Sequence, residues 1–244
     1  MPRSVKSSSR SRLGPRVVGL VILATLAFVV YEAVRWPHVR ALATQTPAST
    51  AFIDRYRTLE RQAGRPVRVQ WTWVPYGRIA PSLKRAVVVA EDTSFFTHNG
   101  FATAEIREAI DRAVKEFGLP RGASTITQQL AKNLWLSPSR NPLRKAKEAV
   151  LTWQLEKALT KRRILELYLN VVEFGPGVYG VEAASRHYFR KPAAEITDDE
   201  AAQLAAALPR PSMWHPGVGT TAYRRYVEDI RRRMERIPIP ARYL

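Results

Sequence analysis

The sequence predicts a mainly α-helical protein, a globular helical domain preceded by one transmembrane helix. Three observations carry that expectation. Residues 17–34, VVGLVILATLAFVVYEAV, form an 18-residue apolar run with a single charge, Glu32. Downstream, apolar residues recur at helical spacing between capping and stop signals such as Thr125-x-x-Gln128, Thr197-x-x-Glu200 and Pro209. Finally, there is no alternation of strand and helix patterns and no internal repeat.

The 244 residues suffice for one domain with a sizeable core, with two allowed. The absence of cysteine excludes a disulfide framework and cysteine-based metal sites, and it is compatible with the periplasm. The net charge is +18. Residues 1–16 carry five cations and no acid, and residues 223–244 carry seven arginines against three acids. Such a balance suggests a polyanionic partner: nucleic acid, anionic lipid or a phosphorylated substrate.

In order, residues 1–16 form a Ser- and Arg-rich basic tail, expected to be disordered. At about 1.5 Å per residue the apolar run reaches roughly 27 Å, enough to span a bilayer. Five Lys and Arg precede it and only Arg35 and Arg40 follow in the next twenty residues, which places the N-terminus in the cytoplasm. A cleaved signal peptide is the competing reading, with Ala41-Leu42-Ala43 as the cleavage site. That site lies far beyond the run. Residues 35–50 read as a linker, 51–236 as the globular domain and 237–244 as a C-terminal tail.

Within the domain, residues 52–62 predict a polar helix. Residues 67–74, VRVQWTWV, alternate and predict an extended segment ended by Pro75 and Gly77. A helix is expected over 81–90, with Pro81 at its start and Leu83, Ala86, Val87 and Ala90 on one face. Glu91 and Asp92 close it, where the helix dipole disfavours carboxylates, a hint of function. Residues 102–117 predict a helix stopped by Gly118-Leu119-Pro120. Helices follow over 125–135, 143–159 and 161–170. Gly175, Gly177 and Gly180 mark turns before another helix. A capped Ala-rich helix runs from Thr197 to Pro209, and a basic helix covers 223–236.

Two stretches concentrate the chemistry. Residues 122–148 hold Ser124, Thr125, Gln128, Gln129, Lys132, Asn133, Arg144 and Glu148, with too few acids to neutralise the cations. Residues 90–100, AEDTSFFTHNG, supply Glu91 and Asp92 beside Phe95, Phe96 and His98. A glutamate against aromatic walls loses solvation, and its pKa rises into a useful acid–base range. Each residue alone has a bland reading: a solvated helix-end Glu91, a surface Arg144–Glu148 pair, a solvated Lys132, a decorative Gln128–Gln129. Together they suggest one cleft for a sugar joined to a phosphate. The start of the 125–135 helix offers an anion site, although P-loop spacing is missing. His38, His98, His187 and His215 lack metal-ligand spacing, so no structural metal is expected. Neither Ser-x-x-Lys nor Lys-Thr-Gly occurs, which excludes penicillin-binding serine chemistry.

These stretches resemble the peptidoglycan glycosyltransferase family. EDTSFFTHNGF is similar to its first signature, with Glu91, Asp92, Phe95, His98 and Gly100 in place. GASTITQQLAKNLW matches the second almost throughout, RKAKE the third and KRRILELYLN the fourth. GPGVYGVEAASRHYF resembles the Gly-rich segment that follows. Ala102 stands where the family commonly has an acid. With no transpeptidase motif, the likeness is to the monofunctional members. The resemblance implies a lysozyme-like α-helical fold with a small membrane-facing lobe at 101–121. It implies glycan polymerisation from lipid II and a lipid-linked glycan chain, with Glu91 and Glu148 as catalytic groups. Asp92, Phe95, His98, Ser124, Thr125, Gln128, Gln129, Lys132, Asn133 and Arg144 would bind substrate. No cofactor is required, with room for a divalent cation, Mg or Mn, at the pyrophosphate. The expected setting is the bacterial inner membrane, with other cell-wall synthases as candidate partners and no nucleic acid. The rival enzyme reading is a lysozyme-like lytic enzyme, which would not need Lys132 and Arg144. A non-catalytic scaffold and a nucleic-acid binder are the remaining alternatives.

Overall fold

The computed structural model describes residues 15–101, 124–139 and 141–244. The expected helix over 102–117, and almost all of the lobe at 101–121, lie outside the described residues. The chain divides into two compact units, Met1–His38 and Val39–Leu244. In the first, helix α1 spans Pro15–Val34. Leu20, Val21, Ile22 and Leu23 are all exposed, so its apolar surface runs around the helix rather than along one stripe. By length and composition it can cross a membrane.

The second unit begins inside the expected linker. Val39–Ala43 form a 3₁₀ turn with Val39 and Leu42 buried. Arg163 fastens this turn, donating to the carbonyls of Leu42 and Gln45 at 2.8 Å each. Residues 39–50 are thus folded because a guanidinium more than a hundred residues away satisfies their backbone. Helix α2, Ala51–Gln62, is capped by Thr50, whose hydroxyl accepts from Ile53 N–H at 3.1 Å.

Most of the expected extended segment is irregular. Strand β1, Gln70–Trp71, runs parallel to β3, Val178–Tyr179, which pairs antiparallel with β2, Glu173–Gly175. The Gly-rich turns therefore close a small sheet of order β1-β3-β2, which the helical reading had passed over. Asn170 ties the segment down. Its Oδ1 accepts from Val74 N–H at 2.8 Å and its Nδ2 donates to Val74 O at 2.9 Å. Its own carbonyl accepts from the Trp71 indole at 2.6 Å.

Among the described residues seven further α-helices follow: α3 Pro81–Glu91, α4 Ile126–Trp135, α5 Pro142–Ala158, α6 Lys161–Val171, α7 Val181–Phe189, α8 Asp198–Ala207 and α9 Thr221–Arg236. Both expected capping boxes are present, Thr125 with Gln128 and Thr197 with Glu200. Helix α3 is buried beyond its expected face: Leu83, Ala86, Val87, Val88 and Val89 are all fully buried. Three consecutive β-branched residues suit a helix poorly, and tertiary packing overrides the local preference. The small side chains of α8, Ala201, Ala202, Ala205 and Ala206, let it approach α3 closely. Helix α9 covers both, forming one group; α4, α5 and α6 form a second.

The expected C-terminal tail is also packed. Ile239 is buried. The ring of Tyr243 stacks on Phe96, with centroids 4.3 Å apart and planes 7° apart. Tyr76 donates to the carbonyl of Tyr243, and Lys84 to that of Leu244.

Candidate active site

Glu91 is the last residue of α3 and Asp92 follows as its cap, with the carboxylates facing different surroundings. Asp92 is buried. It accepts from Ile126 N–H, the first residue of α4, at 3.0 Å and from His98 Nε2 at 2.9 Å. The anion site expected at the start of α4 is therefore filled by the protein's own carboxylate. His98 Nδ1 accepts from Gly100 N–H at 2.9 Å, so its proton sits on Nε2, facing Asp92. Gly100 adopts φ +87°, and a Cβ there would lie 2.9 Å from both Glu156 Cγ and Thr152 Cγ2.

Several expected substrate-binding residues are turned inward. Phe95 is fully buried, with the Lys161 ammonium 4.6 Å from its ring centroid. The Thr125 hydroxyl donates to Gly100 O at 2.7 Å and accepts from Gln128 N–H at 3.3 Å. Gln128 Oε1 accepts from Thr125 N–H at 2.9 Å, which holds its side chain against the start of α4. Asn133 folds back to donate to Gln129 O at 2.8 Å. Asp92, Phe95, His98, Thr125, Gln128 and Asn133 thus have partners within the protein. Ser124 is exposed.

Gln129, Lys132, Arg144 and Glu148 join Glu91 in a second, linked group. Gln129 Nε2 donates to Glu91 Oε2 at 2.6 Å. Burial pushes the Glu91 carboxyl above its ordinary value; the Gln129 hydrogen bond opposes this, Asp92 adds to it, and Arg233 and Lys132 pull it back. Lys132 lies three residues beyond Gln129, on the same side of α4, with the Phe52 ring centroid 5.5 Å away. Burial lowers its pKa against Glu148, and Arg144 and Lys145 lower it further. The buried Glu148 carboxylate takes Arg144 on one oxygen at 2.5 Å and Lys145 on the other. Three cations thus crowd one carboxylate. Among the described residues the Arg144 Nε is buried without a hydrogen-bond partner, as are Arg85 Nε and His215 Nδ1. No cluster of three metal-ligating side chains occurs among the described residues.

The transglycosylase family profile matches residues 58–236. The chain belongs to the transglycosylase family. It is 44% identical over 226 residues to a biosynthetic peptidoglycan transglycosylase of Thiobacillus denitrificans, covering 92% of this chain and 97% of that one. A relative of the same name from Bordetella avium is 40% identical over 239 residues, covering 96% and 100% of the two chains. One from Aromatoleum aromaticum is 45% identical over 206 residues, covering 84% and 89%. The resemblance drawn from the five motifs holds at the family level, and with it the lysozyme-like, mainly helical fold.

In this transglycosylase, sequence reasoning missed the contribution of α9. Its Arg233 lowers the pKa of Glu91, and Glu91 in turn raises that of Tyr226. Tyr226, Ile230 and Arg233 recur at intervals of four and three, a stripe that the abundance of neighbouring arginines hides. Tyr168 on α6 also reaches this group, its hydroxyl donating to Gln129 Oε1 at 2.9 Å.

Proposed function

We propose that this peptidoglycan glycosyltransferase extends glycan strands from lipid II, with Glu91 as the general base. One observation carries the reading. Helix α4 presents Gln129 to the Glu91 carboxylate and, three residues on, sets Lys132 beside the Arg144–Glu148–Lys145 cluster. A proton acceptor at the end of α3 and a cationic receptor on α5 are thereby both met by side chains of one rigid element, α4.

In the proposed reaction the 4-hydroxyl oxygen of the acceptor GlcNAc attacks the anomeric carbon of the donor MurNAc. Glu91 takes the hydroxyl proton. The bond from that carbon to the pyrophosphate oxygen breaks with its electron pair, and the undecaprenyl pyrophosphate leaves. The configuration inverts, giving a β-1,4 link. Lys132 and Arg144 stabilise the charge that grows on the pyrophosphate, Arg144 through its unpartnered Nε. Glu148 holds Arg144 and Lys145 in place. Both its oxygens are engaged by cations, so it does not fit as a ligand for a divalent ion. The rest of the cycle needs no cofactor.

The charge asymmetry around α1 supports an inner-membrane anchor with a cytoplasmic N-terminus and a periplasmic domain, within reach of lipid-linked substrate and of other cell-wall synthases. Purified protein incubated with labelled lipid II should give a polymer that muramidase digests, and Glu91→Gln should abolish it while substrate binding survives. Cleavage of preformed glycan, with no polymer, would overturn the proposal in favour of a lytic enzyme.

A further inference from the structure

We infer that the Tyr168 hydroxyl is a positioning group for the reaction, acting through the Gln129 amide to hold the Glu91 carboxylate in register for proton abstraction. The inference rests on Glu91 being the base.

Three helices contribute one group each. Tyr168 on α6 donates to Gln129 Oε1 at 2.9 Å, and Gln129 on α4 donates through Nε2 to Glu91 Oε2, at the end of α3, at 2.6 Å. The same Nε2 lies 3.4 Å from Ser124 O, which gives the second amide hydrogen a direction. The amide is fixed at three points. An amide turned over would set its oxygen against an ionised carboxylate and its NH₂ against the tyrosine. The Tyr168 hydroxyl opposes that arrangement as long as it remains a donor. Complete burial holds its proton well above the ordinary tyrosine range, so it stays a donor at any working pH.

Packing accounts for the ring but not for the hydroxyl. Leu167, Leu169 and Val171 beside it are fully buried, and a phenylalanine would fill the same volume. A hydroxyl retained in such a place is satisfied by a partner it also orients. The other charged groups bearing on Glu91 are Asp92 beside it, Lys132 on α4 and Arg233 on α9, and the Tyr226 hydroxyl on α9 lies within the field of Glu91 itself. Among the described residues, Gln129 supplies the hydrogen bond to Glu91, and the others act through space. Loss of the hydroxyl frees the amide to rotate. Glu91 then loses the bond that favours its ionised form, holds its proton more tightly, and works as a base only at higher pH.

The test is Tyr168→Phe in the full-length protein in detergent, with polymerisation of labelled lipid II followed across pH. The acid limb of kcat/KM should move to higher pH. Turnover should fall several-fold on the acid limb and little on the alkaline plateau, with KM held within about twofold. A uniform loss at every pH, or an unmoved profile, overturns the inference. In a Gln129→Leu background Tyr168→Phe should add no further displacement, and an equal further displacement also overturns it. Should Tyr168→Phe fail to fold, the Glu91 carboxyl of the Gln129→Leu protein, followed by carbon-13 NMR titration, decides. A titration unchanged from the parent protein rules the relay out. Glu91→Gln in the same assay separates the two proposals, since polymer formed by that variant removes Glu91 as the base.

Discussion

Glu91 and Asp92 are adjacent in the chain, yet one faces the cleft and the other the start of α4. Buried and served by one short hydrogen bond, Glu91 holds its proton above the ordinary carboxylate value of 4.5. The proposed base must be ionised to act, so on that proposal the rate falls as pH falls through its folded pKa. The acid limb of kcat/KM should therefore have a midpoint above 4.5, and substituting Lys132 or Arg233 by Met should move that midpoint higher still. Glu173 on β2 shows the same physics without a reaction. Burial pushes it up to about 7, while in the unfolded chain it titrates near 4.5. Its contribution to stability is fully present below the unfolded value and is lost as pH rises through the folded one. Glu173→Gln should thus raise the melting temperature at pH 8 and leave it nearly unchanged near pH 4.5. Much of this was legible beforehand: a glutamate beside aromatics at a helix end, and a stretch of lysine, arginine and amide side chains with too few acids to neutralise it. The inward turn of Asp92, Thr125 and Gln128 was not. Their side chains are polar enough for either role, and only the position of Gly100 and of the α4 N-terminus decides between substrate and backbone as their partner.

The helix boundaries follow local rules, and their caps can be tested individually. Thr125 both caps α4 and fastens the Gly100 turn to it. Thr125→Ala should cost about 1–2 kcal/mol, seen as a melting temperature lower by roughly 2–8 °C, and Thr125→Ser should retain most of the stability. Asn170 has a larger effect because one side chain satisfies both backbone groups of Val74. Asn170→Ala leaves a buried N–H and a buried C=O without partners, at about 1–3 kcal/mol each, and should lower stability more than removal of any exposed ion pair. Thermal unfolding in detergent checks both variants. The capping boxes at Thr125 and Thr197 could be read from spacing alone. The strand pairing of Gln70–Trp71 with Val178–Tyr179 could not, because two-residue strands carry no periodicity and their partners lie more than a hundred residues apart.

The two compact units divide at His38. A protein lacking residues 1–38 should fold as a cooperative helical unit, checked by circular dichroism on heating. It should also cease to require detergent for extraction from membranes. Loss of cooperative unfolding in that fragment would mean that the first unit supports the second. The sequence alone determined the apolar helix, the order of the caps and stops, the charge excess and the five motifs, because each depends on residues close together in the chain. Tertiary structure decided what depends on distant residues meeting. It set Arg163 against the segment at Leu42 and Gln45, Tyr243 against Phe96, and α9 with its Tyr226 and Arg233 beside Glu91. Above all it chose, from a dozen polar side chains, the few that remain directed into the cleft. A buried polar group must find a partner, and which partner lies within reach is a property of the fold.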